Sequence, residues 1–496
     1  MKLKEIISGL PIKKYNAALD DIEVHDIKTV HSEVEKGDIF IALKGTNFDG
    51  NDFLQQAFER GAVAAISDKD IDDERVIVAN SSRQAYALAS KNFFGRACDE
   101  MKLIAITGTN GKTTITGTTA EMLRFAGAKV GTIGTLGAVV DSESIDTGMT
   151  TPDPYALHAI FKKMKDRGCE FVVMEASAHA LALEKLDGVK FEIGLITNIT
   201  EDHLDFFGDM DNYAKAKFKL FEPDKIKLGI VCGDDPTCTQ LLENSKVPVI
   251  GYGRNSNFDV SASNEKLSFS GSEFDCNCLG EKTHIKTGLV GEYNIENTLA
   301  SISILRSLGV PLEMIKLATA CISPVEGRFN IIKMGDSNIV IDFAHTPDGL
   351  EKVLSTAKKL SDKQLVVIFG CGGNRDKQKR PIMGRIASEI ADKVILTSDN
   401  PRFENPYSII GEIKQGMTKD CDIIENRKSA IEYALERYKD GQTIVIAGKG
   451  AEKYQEIKGK KYPYNDFDVV HNFFRSKIAT IPETKQENHE VEDEKE

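Results

Sequence analysis

Short apolar runs alternate with helix-like stretches along most of the chain, and their arrangement changes twice. Over residues 1–99, apolar runs such as 38–43 and 62–67 are mixed with helical patterns such as 53–60. A short apolar run bounded by turn residues is typical of a buried strand, whereas apolar positions three and four apart are typical of a helix. We therefore predict a small N-terminal α/β domain over residues 1–99.

The middle of the chain, residues 100–326, contains apolar runs of the kind found in parallel strands that are buried on both faces. Helical patterns such as 156–165 lie between these runs, and together they predict a central, doubly wound parallel sheet. Residues 259–289 are more polar, with short alternating segments that predict an antiparallel insert or sheet edge. The predicted parallel strands are residues 103–106, 171–174, 193–197, 228–232 and 247–250.

Residues 327–478 repeat strand and helix once more, with a helical pattern at 428–438. This repetition predicts a C-terminal Rossmann-like domain, so the fold class is α/β with three domains. Residues 479–496 differ, because from residue 482 onwards there are seven acidic residues against two lysines. We predict an acidic, disordered tail with a solubilising role. The predicted strands of the third domain are residues 339–343, 365–369, 394–397 and 443–447.

Composition excludes several classes of protein. No stretch of 18 apolar residues is present, and residues 1–12 contain no apolar run of signal-peptide length, so we expect neither a membrane partner nor a signal peptide. The net charge of -13 argues against binding to nucleic acid. Nine scattered cysteines without Cys-x-x-Cys spacing argue against a disulfide framework and favour a reducing compartment. We therefore expect a cytoplasmic protein.

A glycine-rich loop follows the predicted strand 103–106 and precedes a helical pattern at 115–125. Strand, glycine loop and helix are the context of a phosphate-binding P-loop, where backbone N–H groups and the helix N-terminus bind phosphate. Lys112 can reach the outer phosphates of ATP, and the Thr113 hydroxyl can reach Mg²⁺. The loop is shorter than the general pattern, which requires glycine where Ile106 stands. Its residues are Gly108, Thr109, Asn110, Gly111, Lys112, Thr113 and Thr114.

Three further residues follow the loop in an order that suits phosphoryl transfer. Glu175 ends the predicted strand 171–174, and ligands of open α/β sheets collect at the carboxyl ends of strands. His203 lies just beyond the next strand, and Lys217 follows it. Taken singly, they read as a capping glutamate, a polar loop histidine and a solvated lysine. Their order behind a phosphate loop makes them candidates for catalysis.

Together these motifs resemble the Mur ligases, and within that family the members that add the third amino acid of the peptidoglycan precursor. The resemblance covers nearly the whole chain. It implies a uridine-binding domain at 1–99, an ATP-binding ligase domain at 100–326 and an amino-acid-binding domain at 327–478. The matching motifs are 108–114, 149–152, 174–181, 197–205, 289–297, 327–329, 342–347, 370–376 and 399–402.

The resemblance also implies a reaction. ATP phosphorylates the free carboxylate of UDP-N-acetylmuramoyl-L-Ala-D-Glu, and the amine of an incoming diamino acid attacks the acyl phosphate. The implied partners are these small molecules, and we expect a monomer. The implied catalytic residues are Lys112, Glu175, His203 and Lys217, and the implied ATP contacts beyond the loop are Asn297, Arg328, Asp342 and His345. The implied Mg²⁺ ligands are Thr113, Glu175, His203 and Lys217, the last as a carbamylated lysine.

Four consecutive residues after the predicted strand 394–397 match the family motif that binds the amino acid. The version that ends in arginine goes with meso-diaminopimelate, and a guanidinium suits the second carboxylate of that amino acid. L-lysine, the LL isomer and lanthionine remain open as alternatives. The implied contacts are Arg375, Asp399, Asn400, Pro401, Arg402, Gly448 and Glu452.

The chain departs from the family pattern in the regions that hold the nucleotide-sugar peptide. Implied contacts there are Thr150, Thr151, Ser177 and Lys185, and Lys185 replaces an arginine, which keeps the charge but loses the bidentate fork. We predict weaker or altered binding of this substrate and a working enzyme. The other departures are residues 30–32 around His31, where Asp-Ser-Arg is usual, Ala178 for serine and Ala451 for histidine.

Three other classes of protein share part of this pattern. Folylpolyglutamate synthase shares the ATP site but lacks both the N-terminal domain and the motif at 399–402. A non-catalytic nucleotide-binding relative is compatible with the four departures, although Lys112, Glu175, His203 and Lys217 are intact. A dinucleotide-dependent dehydrogenase would need a third glycine where Arg375 stands, which excludes that class.

Overall fold

The computed structural model describes residues 1–45, 48–438 and 441–479, and it forms two compact units. The first is Met1–Val325, which contains two sheets, and the second begins at Glu326 and contains a third sheet and a separate hairpin. The three-domain α/β fold is thus confirmed, while the predicted bounds at residues 99, 326 and 478 remain predictions. The predicted acidic tail lies, from residue 480 onwards, outside the described residues.

The N-terminal sheet has five strands in the order β1-β5-β4-β3-β2, with β1 antiparallel to β5 and the other neighbours parallel. Every residue of β3, β4 and β5 is buried, as expected for parallel strands covered on both faces. The strands are β1 Ile12–Lys14, β2 Ile27–Lys28, β3 Ile39–Ile41, β4 Ala64–Ser67 and β5 Val76–Ala79. The helices are α1 Leu3–Ile6, α2 Leu54–Glu59 and α3 Ser82–Phe93.

The central sheet has eleven strands in the order β16-β15-β14-β13-β12-β11-β6-β10-β7-β8-β9. Its middle, from β14 to β7, is parallel, as predicted, and both edges are antiparallel, of which the edge formed by β8 and β9 was not predicted. The strands are β6 Lys102–Thr107, β7 Val130–Gly134, β8 Gly137–Val140, β9 Glu143–Ile145, β10 Phe171–Glu175, β11 Phe191–Ile196, β12 Ile226–Cys232, β13 Val249–Gly253, β14 Val260–Ser268, β15 Gly271–Cys278 and β16 Glu281–Thr287.

Alternating side chains of the central strands feed two separate cores. In β6, Leu103 and Ala105 belong to one hydrophobic cluster, whereas Ile104 and Ile106 belong to the other. Because successive residues of a strand point to opposite faces, both faces of the sheet must be covered. The helices are α4 Lys112–Phe125, α5 Pro154–Asp166, α6 Ala178–Ala182, α7 Leu204–Phe207, α8 Met210–Phe218, α9 Thr239–Asn244, α10 Glu292–Ser307 and α11 Leu312–Cys321.

The predicted antiparallel edge at 259–289 is the ladder β14-β15-β16. Cys276 and Cys278 lie two apart on β15, and both are buried in one core cluster, as their spacing implies. All nine cysteines fall within the described ranges and all are free. Across those ranges no helix combines the length and apolar character that a membrane crossing requires.

The sheet of the second unit has the order β17-β18-β22-β19-β20-β21, and only β17 and β18 pair antiparallel. Strands β19 and β22 are buried along their whole length. A separate hairpin, β23-β24, follows the sheet. The strands are β17 Asn330–Met334, β18 Ser337–Asp342, β19 Leu365–Phe369, β20 Lys393–Leu396, β21 Asp422–Ile423, β22 Thr443–Ala447, β23 Tyr454–Ile457 and β24 Lys460–Pro463.

Polar side chains set the start of several helices in this unit. Thr346, Asn405 and Asn426 each accept a backbone N–H of the first helical turn that follows them. Proline occupies the first turn of two of these helices, where no hydrogen-bond donor is needed. The helices are α12 Pro347–Leu360, α13 Lys379–Ile390, α14 Pro406–Lys414, α15 Arg427–Arg437 and α16 Asp466–Ala479.

Candidate functional site

The phosphate loop connects β6 to α4 through two glycines with positive φ. Gly108 has φ +131° and Gly111 has φ +91°, values that residues with a side chain rarely adopt. A Cβ at Gly111 would lie 2.6 Å from Asn297 Oδ1, so Asn297 of α10 lies directly against the loop. Gly111 precedes α4 without a side-chain cap, and the N-terminus of a helix is a place where anions bind.

The loop is held by the segment that follows β11. Thr109 N donates to Asn198 O (2.8 Å), and Asn110 N donates to Asn198 Oδ1 (2.9 Å). Two side-chain hydroxyls add to this contact: Thr197 Oγ1 donates to Asn110 O (2.6 Å), and Thr109 Oγ1 of the loop donates to Thr200 O (3.1 Å). Since β11 and β6 are neighbouring parallel strands, their carboxyl ends meet at this point.

Two lysines converge on the carbonyl of Gly108. Lys112 Nζ donates to Gly108 O (2.9 Å) and Thr109 O (2.8 Å), and Lys217 Nζ donates to Gly108 O (2.7 Å). Lys217 is 1% exposed and lies over the ring of Tyr213, 4.3 Å from its centroid. Burial, together with the charge of Lys112, holds the pKa of Lys217 well below its ordinary value. Because Lys217 is buried, it is not the solvated helix lysine that it resembles when taken singly.

Glu175 is buried at the end of β10, and both of its carboxylate oxygens accept hydrogen bonds. Thr113 Oγ1 donates to Oε1 (2.9 Å), Thr135 N donates to the same oxygen (2.8 Å), and Thr135 Oγ1 donates to Oε2 (3.1 Å). A Cβ at Gly134 would lie 2.3 Å from Oε1, so the carboxylate fills the space that a side chain there would need. Glu175 therefore faces the phosphate loop in a fixed orientation.

Three of the four residues predicted to hold the nucleotide-sugar peptide lie around Glu175. Thr151 Oγ1 donates to Glu175 O (2.8 Å) and accepts from Ser177 N (3.0 Å), while Thr150 Oγ1 lies 3.1 Å from Thr135 Oγ1. The fourth, Lys185, forms an ion pair with Asp153 (2.7 Å).

His203 follows the loop-binding segment and adopts a left-handed backbone with φ 55°. Its Nε2 lies 3.3 Å from Asp202 Oδ2, and its ring packs edge-on to that of His179, with centroids 4.8 Å apart. Burial lowers the pKa of His203 to about 4, while Asp202 opposes the shift. The ring is therefore neutral at neutral pH, which is the form that binds metals.

The donor set around the loop fits Mg²⁺. Within the described ranges, no group of three or more His, Cys, Asp or Glu side chains is arranged to hold a metal ion. Mg²⁺ in phosphoryl-transfer sites is usually bound through one or two carboxylates, with phosphates and water completing its coordination. The adjacent oxygens of Thr113 and Glu175 match that requirement.

Within the second unit, the predicted nucleotide residues Arg328, Asp342 and His345 cluster at the end of β18. Asp342 accepts from Phe329 N (2.7 Å) and Ala344 N (2.7 Å), and burial raises the pKa of its carboxyl despite the charge of Arg328. The Arg328 guanidinium lies 4.3 Å from the centroid of the Phe343 ring.

The predicted amino-acid contacts form a hydrogen-bonded cluster in the second unit. Asn400 donates to Glu452 Oε2 (2.9 Å) and accepts from Lys449 Nζ (3.0 Å), and Lys449 also donates to Glu452 (2.6 Å). Gln455 Nε2 donates to the carbonyl of Asp399 (2.6 Å). Pro401 follows Asn400, and its carbonyl carbon would lie 2.7 Å from a Cβ at Gly373, so the backbones of these two residues are in close contact.

Gly448 and Arg402 complete this cluster. A Cβ at Gly448 would lie 2.7 Å from Asp399 Oδ2, so a larger residue would displace that carboxylate. Arg402 Nε donates to Glu456 Oε2 (3.0 Å). A Cβ at Gly372 would lie 3.0 Å from Arg402 NH1 and 3.7 Å from Arg375 Cγ, so both arginines flank the loop after β19.

Buried ion pairs that the sequence did not reveal support the cluster. Arg427 and Asp466 are both fully buried and are joined by two hydrogen bonds of 2.9 and 2.8 Å. Arg427 NH1 also lies 4.0 Å from Asp399 Oδ2. Arg380 pairs with Glu404 (2.9 Å) and lowers the pKa of that carboxyl to about 2.

The structure also locates the predicted departures from the family pattern. His31 stacks on Phe53, with ring centroids 4.3 Å apart and an interplanar angle of 4°. Ala178 begins α6, which Ser177 caps. The backbone nitrogen of Ala451 would lie 2.2 Å from a Cβ at Gly327, so these backbones are in close contact.

Three family models match the chain. The Mur ligase middle domain matches residues 106–305, the Mur ligase glutamate ligase domain matches 327–450, and the Mur ligase family catalytic domain matches 23–92. The chain is 39% identical to a UDP-N-acetylmuramoyl-L-alanyl-D-glutamate--2,6-diaminopimelate ligase from Clostridium tetani over 95% of this chain and 98% of the relative. It is 40% identical to the Aquifex aeolicus protein of that name over 88% and 91%.

Solved structures give the same picture. A 2,6-diaminopimelate ligase of the same name superposes with a TM-score of 0.70 at 29% identity, covering 96% of this chain and 99% of that one. Folylpolyglutamate synthase from Mycobacterium tuberculosis has a TM-score of 0.61 at 16% identity and covers 74% of this chain and 92% of its own. That second likeness shows a common fold.

Proposed function

This chain belongs to the Mur ligase family of ATP-dependent ligases, and we propose that it adds meso-2,6-diaminopimelate to UDP-N-acetylmuramoyl-L-Ala-D-Glu. The relatives that carry the 2,6-diaminopimelate ligase name align with nearly the whole chain. The observation that carries the proposal is the phosphate loop with Thr113 and Glu175 in hydrogen-bond contact beside it. The proposal places the reaction in the cytoplasm, with a monomer as the active form.

The loop binds the triphosphate of ATP. The first turn of α4, which has no side-chain cap, supplies N–H donors. When ATP binds, Lys112 Nζ donates to phosphate oxygens in place of the carbonyl oxygens of Gly108 and Thr109. Hydrogen bonds between charged partners are roughly twice as strong as those between neutral ones, so this exchange favours the nucleotide complex. Asn297 lies against Gly111 and limits the space beside the loop.

Thr113 and Glu175 would hold Mg²⁺, with His203 and a carbamylated Lys217 as the further ligands. In that place Mg²⁺ would neutralise the charge that otherwise keeps the triphosphate and the substrate carboxylate apart. Lys217 Nζ is buried at the Gly108 carbonyl with its pKa depressed, and the uncharged amine is the form that reacts with CO₂. The depressed pKa of His203 keeps its ring available as a ligand.

The reaction then proceeds in two balanced steps. An oxygen of the D-Glu carboxylate attacks the γ-phosphorus of ATP, which releases ADP and forms an acyl phosphate. The amine of the diamino acid attacks the acyl carbon, loses a proton, and expels inorganic phosphate as the amide forms. Thr150, Thr151 and Ser177, which lie around Glu175, and Lys185, which pairs with Asp153, would orient the peptide substrate. For Arg328, Asp342 and His345 of the second unit, nucleotide contact stays a prediction.

Arg375, Arg402, Asn400 and Glu452 support the choice of diaminopimelate. A guanidinium binds a carboxylate through two parallel hydrogen bonds, and diaminopimelate and lanthionine carry a second carboxylate whereas lysine does not. Glu452 supplies an anionic oxygen for the distal ammonium group, held in place by Asn400 and Lys449.

Phosphate release tests the reaction class. The purified chain is given Mg-ATP, UDP-N-acetylmuramoyl-L-Ala-D-Glu and meso-diaminopimelate, and each component is omitted in turn. We expect phosphate release that requires all three components. Phosphate release at the same rate without the amino acid would contradict the ligase reaction. A second assay replaces the UDP substrate and diaminopimelate by dihydrofolate and glutamate, and it tests the folylpolyglutamate alternative. Light scattering of the protein as it elutes from a size-exclusion column gives its molar mass and so tests whether it is a monomer.

A further inference from the structure

The backbone of Arg402 is clamped in an unfavourable conformation. Its φ is 50°, in the left-handed region that residues other than glycine avoid. Arg402 N donates to Glu456 O (3.1 Å), and Lys458 N donates to Arg402 O (2.7 Å), so the β23 strand holds the residue on both sides. A strained residue that is fixed from both sides indicates a side chain whose direction matters.

The side chain of Arg402 is held by the same strand. Glu456 Oε2 accepts from Nε (3.0 Å), and the carbonyl of Gly373 accepts from NH1 (2.8 Å). The NH2 group makes no hydrogen bond to any residue in the described ranges. Two of the three guanidinium nitrogens are therefore held by the protein, and the N–H groups of the third, Nη2, remain for a ligand.

The charges around this arginine suit a ligand with one carboxylate. Arg402 and Arg375 flank Gly372, and Glu456 offsets one of the two positive charges. Within the described ranges, Arg375 is exposed and has no hydrogen-bond or ion-pair partner. The group carries a net positive charge of one unit, which attracts a second carboxylate, a group that lysine lacks.

We propose that Glu456 is a positioning residue that orients Arg402 and thereby makes the enzyme select amino acids with a second carboxylate. This inference rests on the proposed function. Arginine loses less rotational freedom on binding when its guanidinium is already oriented, so the held side chain binds more tightly. The Arg402 and Glu456 side chains are 20% and 22% exposed, so the pair stays accessible to a ligand.

Substitution of Glu456 tests this role in the full chain. Glu456→Ala lowers kcat/KM for meso-diaminopimelate about 10-fold through KM, because Arg402 must be ordered on binding. The same variant leaves kcat/KM for L-lysine within about twofold, since lysine has no carboxylate for Arg402 to bind. Glu456→Gln gives a smaller loss, about 3-fold, because its amide oxygen still accepts from Nε. The KM values for ATP and the UDP substrate stay unchanged.

Glu389→Gln is the matched control. Glu389 pairs with Arg385 at 2.7 Å in the same unit, but both side chains are about half exposed. This variant loses an Arg–Glu pair of the same chemistry and retains the wild-type preference for diaminopimelate. A Glu456→Ala enzyme that loses activity towards diaminopimelate and lysine equally would overturn the assignment, because that pattern marks a general structural defect.

A different result would contradict the proposed function: the wild-type chain would release no phosphate in response to the amino acid. In that case, calorimetric binding of meso-diaminopimelate and L-lysine to the same two chains still decides the role of Glu456. Weaker binding of diaminopimelate alone by Glu456→Ala supports the inference. Unchanged affinity for diaminopimelate overturns it.

Discussion

Replacing Gly108 by alanine perturbs the phosphate loop at a crowded point. A Cβ there would lie 1.9 Å from Thr197 Oγ1 and 3.0 Å from Thr197 Cβ, on a backbone with φ +131°. Thr197 Oγ1 donates to Asn110 O (2.6 Å), so the new methyl group must displace Thr197 and break this bond. The loop then departs from the conformation that binds ATP.

The size of the effect follows from two terms. A residue with a side chain pays about 1–2 kcal/mol for a positive φ, and a lost intramolecular hydrogen bond costs about 1 kcal/mol. Together these terms disfavour the binding conformation by about 2–3 kcal/mol. Since about 1.4 kcal/mol corresponds to a tenfold change in an equilibrium constant, the dissociation constant for Mg-ATP rises by about 30- to 150-fold.

Calorimetric titration with Mg-ATP measures this change, and Gly127→Ala is the control. Gly127 also has a positive φ of +91°, but nothing lies within 4 Å of a Cβ at that position. The control therefore carries the backbone penalty without the clash, and we expect its affinity for ATP to stay within about twofold of wild type. Wild-type affinity in Gly108→Ala, or an equal loss in both variants, would refute the reasoning.

Two further predictions concern stability. His158 is 1% exposed, and burial lowers its pKa to about 3. Below pH 6.5 this histidine is therefore protonated in the unfolded chain but not in the folded one, and the free energy of unfolding falls by about 1.4 kcal/mol per pH unit. Urea unfolding should show that His158→Leu gains about 2 kcal/mol relative to wild type between pH 7.5 and pH 5, and a difference independent of pH would contradict this assignment. Asp466→Asn removes the nearer of the two carboxylates beside the fully buried Arg427 and leaves only Asp399 at 4.0 Å, at a cost of about 3 kcal/mol, and should lower the melting temperature of its unit by about 10 °C. A calorimetric melt in which Asp466→Asn behaves like the exposed-pair control Glu389→Gln would count against a buried ion pair.

The phosphate loop could be predicted because its signal is local. A strand, two glycines and a helix follow one another along the chain, and the predicted strand 103–106 lies inside β6. The helix begins at Lys112, earlier than the apolar pattern at 115 indicated, because Lys112 and the two threonines enter the helix directly after Gly111. The strand predicted at 247–250 is observed at Val249–Gly253, since Pro248 has no N–H for a ladder.

The partners of the candidate site residues could not be predicted. Thr135 is hydrogen-bonded to Glu175, which lies 40 residues away in the sequence, and Glu456 is hydrogen-bonded to Arg402, which lies 54 residues away. These contacts depend on the order of strands in the sheet and on the placement of the hairpin, which hydrophobic periodicity does not encode. The same reason explains the antiparallel edge β7-β8-β9, whose short strands carry no distinctive apolar run.

The central claim is that the chain is a ligase that adds diaminopimelate, and product analysis tests it most directly. Separate reactions contain Mg-ATP, UDP-N-acetylmuramoyl-L-Ala-D-Glu and one of meso-diaminopimelate, its LL isomer, L-lysine or lanthionine. Mass spectrometry of the UDP product and measured phosphate give rate and stoichiometry together. We predict one phosphate per amide formed, with the highest kcat/KM for meso-diaminopimelate. A clear preference for L-lysine, or phosphate release without an extended UDP product, would contradict the claim.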